Sequence, residues 1–173
     1  LAMIDSDADK SKFEILYSEY KNLMYYTANR ILHNSSDAED VVHQAFLKVI
    51  EILDTISSPR CHKTRALLVT ITEHKAIDLY REKQRRNVLP LAEEYIGAAP
   101  AAEIERLAER DTLAAAIASL PPRYRSVLLL RYDCGYSNAE IANILDTTEP
   151  NVRKLIQRAK EKLSAALSGM EEP

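Results

Sequence analysis

The chain has 173 residues with only three glycines, no tryptophan and a formal net charge of −3. That length suits one ordinary domain or two small ones, and so little glycine favours helices over tight β-turns, so an all-α protein is expected. No apolar run reaches the roughly 18 residues of a membrane span, and the polar, acidic start LAMIDSDADK is unlike a signal peptide, so the expectation is a cytoplasmic protein without membrane insertion. Cys61 and Cys134 lie far apart, with no CxxC and no His/Cys cluster. Both are taken as reduced, and no metal or other cofactor is expected.

Charge is segregated along the chain. Residues 1–54 carry five basic and ten acidic side chains, residues 60–86 eight and three, residues 91–111 two and six, and residues 112–173 eight and seven. One basic stretch set among acidic ones suits a protein with one face for DNA and another for a different partner.

In chain order, Phe13, Leu16, Tyr17, Tyr20, Leu23, Met24, Thr27, Ala28, Ile31 and Leu32 step by three and four, which predicts a long amphipathic helix ending near His33-Asn34. Ser36 and Glu39 then read as a capping box for a second helix, with Val41, Val42, Ala45, Phe46, Val49, Ile50 and Leu53 facing inward. Asp40, His43, Gln44, Leu47, Lys48 and Glu51 fall on the opposite face. Leu47 there is either an ordinary exposed leucine or an anchor for a partner helix. Residues 54–63 read as a loop. The next helix, 64–86, is apolar around much of its first half, at Leu67, Leu68, Val69 and Ile71, and ends on Arg81, Lys83, Arg85 and Arg86. Its basic end is either a tip aimed at phosphates or a solvated last turn favoured by the helix dipole.

Two prolines, a glycine and no sustained period mark 88–102 as a flexible, acidic linker. A helix resumes near Glu103 with Ile104, Leu107, Ala108 and Ala115 on one side. Pro121-Pro122 stops it before another helix over 127–132, and Gly135 fits the left-handed position after that. Ser137 and Glu140 form a capping box, Ile141, Ala142, Ile144 and Leu145 give an inner face, and Asp146-Thr147 breaks the pattern. Thr148 and Pro150 then open a final helix with Val152, Ile156, Ala159 and Leu163 inward. This is a helix-turn-helix pattern, and it leaves Asn151, Arg153, Lys154, Gln157 and Arg158 outward. Basic and amide side chains there suit base edges or phosphates in a major groove; a solvated, charge-paired face is the plainer alternative.

Three stretches together carry a resemblance: SSDAEDVVHQAFLKV at 35–49, AIDLYREKQRR at 76–86, and LPPRYRSVLLLRYDCGYSNAEIANIL at 120–145, continued by NVRKLIQRAKEKL at 151–163. In order and spacing the chain resembles the bacterial RNA polymerase sigma factors of the small two-domain, extracytoplasmic-function type. The resemblance implies an amino-terminal domain at 1–87, the linker at 88–102 and a carboxy-terminal domain at 103–173. It implies that Asp40, His43, Gln44 and Leu47 grip the clamp helices of the largest subunit of core RNA polymerase. Residues 54–86 would recognise and melt the minus-ten element, with Arg81, Arg85 and Arg86 on phosphates. Asn151, Arg153, Lys154, Gln157 and Arg158 would read the minus-thirty-five element of promoter DNA. An anti-sigma partner is implied by the same resemblance. The chain departs from the family pattern at His43-Gln44, where Gln-Glu is usual, at Leu67 in place of a tryptophan, and at Glu73 and His74, where a promoter strand would lie. Asp146 stands at a frequent turn glycine. The competing readings are a stand-alone helix-turn-helix regulator and an enzyme. A regulator of that kind needs a receiver or ligand domain, and the amino-terminal half lacks the strand–helix alternation of one. His33, His43, His62 and His74 make no HExxH, and there is no glycine-rich phosphate loop, so an enzyme is not expected.

Overall fold

A computed structural model describes residues 6–87 and 112–171, which belong to two compact units. Among the described residues all regular structure is helical. The expected linker at 88–102, and Ile104, Leu107 and Ala108 of the helix expected after it, lie outside the described residues.

In the first unit, α1 spans Asp7–Leu32, α2 Ser35–Glu51 and α3 His62–Asn87, with a single 3-10 turn at Leu53–Thr55 after α2. The Ser6 side chain accepts from the Asp9 amide at 3.0 Å and so caps α1. At its other end His33 takes φ 50°, and its N–H donates to the Asn29 carbonyl at 2.9 Å. Histidine is among the few non-glycine residues found in that region with some frequency. This tight reversal leaves Asn34 extended, and its side-chain oxygen accepts from the Asp37 amide at 3.0 Å. The expected Ser36/Glu39 capping box is therefore corrected. A cap must stand outside the first turn, and the helix has already begun at Ser35, so Asn34 takes the role.

The three helices pack pairwise. Leu16, Met24 and Ala28 of α1 meet Val41, Ala45, Phe46 and Val49 of α2 and Leu67, Leu68, Ile71 and Ala76 of α3 in the buried interior. Phe13 and Phe46 stand edge to face at 5.7 Å, and Tyr17 lies 5.0 Å from Phe46. At one end the small residues Ala28, Ala38 and Ala76, with Val41, let the helices close up, and Tyr25, Ile31, Leu32 and Leu79 pack against them. The 54–63 connection is tied down by hydrogen bonds from Tyr20 to the Pro59 carbonyl (2.9 Å) and from Thr64 to the Ser58 carbonyl (2.6 Å). Residues 67–73 are buried without interruption, which makes the first half of α3 an enclosed helix rather than an amphipathic one.

In the second unit α4 (Thr112–Ser119), α5 (Pro122–Leu128) and α6 (Asn138–Ile144) all pack on α7 (Glu149–Glu171). Pro122 opens α5 at its first position, where its missing amide costs nothing, so the helix begins five residues before the Val127 expected from the sequence. The buried Arg125 donates to the Ala118 carbonyl at 3.2 Å and so joins α4 to α5. The chain continues as a π-helical turn over Leu129–Asp133, where the Cys134 amide reaches back to the Leu129 carbonyl at 2.9 Å. Gly135 follows at φ 81°, a conformation that glycine adopts freely.

α6 opens on the expected capping box. The Glu140 amide donates to Ser137 Oγ at 3.2 Å and the Ser137 amide to Glu140 Oε2 at 2.7 Å. After Ile144 the chain turns through Asp146 at φ 49°, and the Thr147 amide closes the turn on the Ala142 carbonyl at 2.9 Å.

Ser137→Ala should cost about 1 kcal/mol in urea denaturation, since it orphans an amide of the first turn. Hydrogen bonds from Ser137 hold the Glu140 carboxyl below its usual pKa. A carboxyl depressed in the folded state favours folding above the ordinary glutamate range, and that contribution fades as pH falls through its folded pKa. Thermal melts below about pH 4.5 should therefore lose stability less steeply in Glu140→Gln than in the parent chain. In the first unit, Phe46→Glu should cost about 4 kcal/mol or more and unfold the bundle, whereas Leu47→Glu, one residue away and 50% exposed, should keep the melting midpoint nearly unchanged.

Candidate nucleic-acid interface

The capped α6, the left-handed turn at Asp146 and the start of α7 at Glu149 fix the phase of the last helix. Val152, Ile156 and Ala159 are buried against the rest of the unit, and Asn151, Arg153, Lys154, Gln157 and Arg158 are all exposed. The structure thus brings the five expected residues together on the outer side of α7. Arg153 pairs with Glu149 at 2.7 Å, Gln157 donates to Glu161 at 3.2 Å, and Asn151 donates to Thr147 Oγ1 at 3.4 Å. Among the described residues Lys154 and Arg158 have no ion-pair partner. The helix therefore presents two uncommitted cations, one lightly tethered arginine and two amides, a set able to meet phosphates and base edges at once.

The tip of α3 is the second basic region. Arg81 is half-buried, and Arg85 and Arg86 are exposed. Arg85 donates to the Arg81 carbonyl at 3.4 Å, and Arg86 is paired with Glu82 at 2.5 Å. Arg81 and Arg85, four residues apart, share one side of the helix. The pairing of Arg86 sets it apart from them. Lys83, the fourth cation of this tip, is bound to Asp37 at the start of α2. Its spacing of four from the packed Leu79 is the signal that puts it on the bundle side. Glu73 is only 4% exposed and belongs to the enclosed half of α3, so it presents no outward face for a strand; His74 is partly buried.

A third surface lies on α2. Asp40, His43, Gln44 and Leu47 are exposed, and Val42, Ala45, Phe46 and Val49 on the other side are buried. Lys48 departs from the expected polar stripe. It is 5% exposed, with its ammonium returning to Glu51 at 2.9 Å. Three residues after Ala45 and seven after Val41, it borders the packed face, and its aliphatic stem is covered there while its charge finds a neighbour.

The exposed Tyr132, with Lys160 5.2 Å from its ring centre, is not marked by periodicity, because it lies within the π-helical turn, where the helical phase shifts. Cys61 and Cys134 are thiols, not joined in a disulfide. Hydrogen bonding with Thr64 lowers the pKa of the Cys61 thiol. Among the described residues no group of His, Cys, Asp or Glu is placed to hold a metal ion, and no helix is long and apolar enough to cross a membrane.

The sigma-70 region 2 model matches residues 16–86, which hold the α2 face and the α3 tip. The sigma-70 region 4 model matches residues 110–163, which hold the helix-turn-helix. The chain is 27% identical over 171 residues to the ECF RNA polymerase sigma factor SigW of Bacillus subtilis, covering 92% of this chain and 90% of that one. It is 26% identical over 162 residues to the ECF RNA polymerase sigma factor SigL of Mycobacterium tuberculosis, covering 92% and 91%. A solved structure of CnrH in complex with the cytosolic domain of CnrY is 28% identical, covers 91% of this chain and 88% of that one, and superposes with a TM-score of 0.40. Region 2 and region 4 stand in order on one chain, the first on a three-helix bundle and the second on a capped helix-turn-helix: the protein belongs to the sigma-70 family of RNA polymerase sigma factors, in its ECF group.

Proposed function

We propose that the chain acts in the cytoplasm, without catalytic chemistry of its own, by dividing three tasks among the three surfaces. The α2 face of Asp40, His43, Gln44 and Leu47 docks on the clamp helices of the largest subunit of core RNA polymerase. The α3 tip, chiefly Arg81 and Arg85 with Arg86 beside them, holds minus-ten phosphates while the duplex opens. The outer side of α7 reads the minus-thirty-five element through Asn151, Arg153, Lys154, Gln157 and Arg158. Residues 1–87 and 103–173 serve as the two working domains and 88–102 as their linker. An anti-sigma protein is the regulatory partner that this reading carries.

The observation that supports it best is Leu47. An apolar side chain half exposed among polar neighbours, on a helix whose other side is fully packed, gains from burial only when a second protein covers it. A helix-turn-helix regulator working without polymerase gives that face no task.

Core polymerase mixed with the Leu47→Glu chain should not co-elute with it, although the variant stays folded, because the change forces an unpaired charge into the contact beside Asp40. Retained assembly by the folded variant would place the docking face elsewhere. Lys154→Ala should leave folding intact and weaken run-off transcription from promoters selected out of a library with the parent holoenzyme. A lost phosphate contact lowers the salt slope of binding by about one unit, and a lost base contact costs about 1–3 kcal/mol with relaxed specificity.

A further inference from the structure

The α3 tip carries four cations in six residues, and the two helices beneath it dispose of them unequally. Leu79 is packed against the Ala28, Ala38, Val41 and Ala76 contact, and Lys83 is one turn further along the same side. There its ammonium donates to Asp37 Oδ2 across 46 residues of sequence. Asp37 is held rigidly. Its amide is bound by the Asn34 cap at 3.0 Å, its neighbour Ala38 is fully buried, and its carboxylate sits in the first turn of α2, where the helix dipole favours negative charge. The Asp37 side chain is 17% exposed against 46% for Lys83. If Lys83 left for a phosphate, a largely covered carboxylate would be stranded without its partner, which opposes the exchange. Arg81 and Arg85, two residues before and after Lys83, fall on the opposite side of the helix, and among the described residues Arg85 is tethered only to a carbonyl of its own helix.

We propose that Asp37 is a positioning residue for the DNA-binding tip: it withdraws Lys83 from the phosphate-contacting set and pins the end of α3 to α2, so that Arg81 and Arg85 are the side presented to the nucleic-acid backbone. The inference deepens, and rests on, the reading of this tip as a phosphate-binding surface. Asp37 then sets the number of phosphates the tip engages as well as its direction. The tip binds one phosphate fewer than its charge allows.

The test is the salt dependence of binding of the full chain to a mixed-sequence single-stranded oligonucleotide, read as the slope of log Kd against log salt. Lys83→Gln should leave the slope unchanged. Asp37→Asn, close in size to the parent residue, frees Lys83 and should steepen the slope by about 0.7, the value of one added contact on a single strand. The double variant Asp37→Asn/Lys83→Gln should return to the parent slope, which general removal of a negative charge would not produce. Arg81→Ala and Arg85→Ala serve as references and should each make the slope shallower by a similar amount. A shallower slope for Lys83→Gln alone overturns the inference, as does an unchanged slope for a folded Asp37→Asn chain. The Lys83→Gln arm decides the matter even if the Asp37 variant does not fold. If the two arginine variants respond and the Asp37 and Lys83 variants behave otherwise than stated, only the role of Asp37 fails. If the arginine variants leave the slope untouched, the phosphate-binding reading of the tip fails and this inference with it.

Discussion

Every helix end exposes amides or carbonyls that the helix cannot pair, and in an all-α chain with three glycines those groups decide where elements may begin and stop. This protein meets the demand with side chains and with two left-handed residues that are not glycine. Ser6, Asn34 and Ser137 accept from first-turn amides, and His33 and Asp146 reverse the chain at φ 50° and 49°. The candidate surfaces depend on these points. Asn34 fixes the start of α2 and hence which side of it carries Asp40, His43, Gln44 and Leu47. Ser137 and Asp146 set the phase of α6 and α7, and hence which side chains α7 turns outward.

Phase in turn separates a packed side from an exposed one along a single helix. On α2 Phe46 is 4% exposed and Leu47 50%, a division between neighbours that no scale of residue type contains. The buried side is held by the aromatic contacts of Phe13, Tyr17 and Phe46 and by the small-residue closure around Ala28, Ala38 and Ala76. Packing of this kind leaves the outer side free to carry polar and apolar groups with little effect on folding. α3 follows a different plan. It is enclosed over 67–73 and basic at its end, so it works as a buried strut with a charged tip.

Much of this was legible in the sequence where a local rule governs. The Ser137/Glu140 box, the inward Val152, Ile156 and Ala159, the left-handed Gly135 and the Phe46/Leu47 division all follow from spacing within a helix. What was not legible depended on groups distant in the chain or on the neighbouring turn. Ser36 looks like a cap in isolation, but the reversal at His33 makes Asn34 the extended residue. Lys48 reads as polar and outward, but its position at the edge of the packed stripe buries its stem. The pairing of Lys83 with Asp37 spans 46 residues and depends on how closely α2 and α3 approach, which only the packing of Ala38 and Ala76 reveals.

The π-helical turn at Leu129–Asp133 has a bearing on how this unit tolerates change in length. A turn with a five-residue hydrogen-bond step holds one residue more than the α-helix around it. Removing a single residue there would leave a regular helix and would break little locally. The turn covers with five residues what an α-turn covers with four, so Gly135 and Ser137 would keep nearly the same places, where the reversal and the cap need them. The turn thus absorbs the loss of one residue, whereas a residue removed from the α-helix before it would rotate the helix-turn-helix that follows by about 100°, so the same deletion should be accepted at one place and not a turn away.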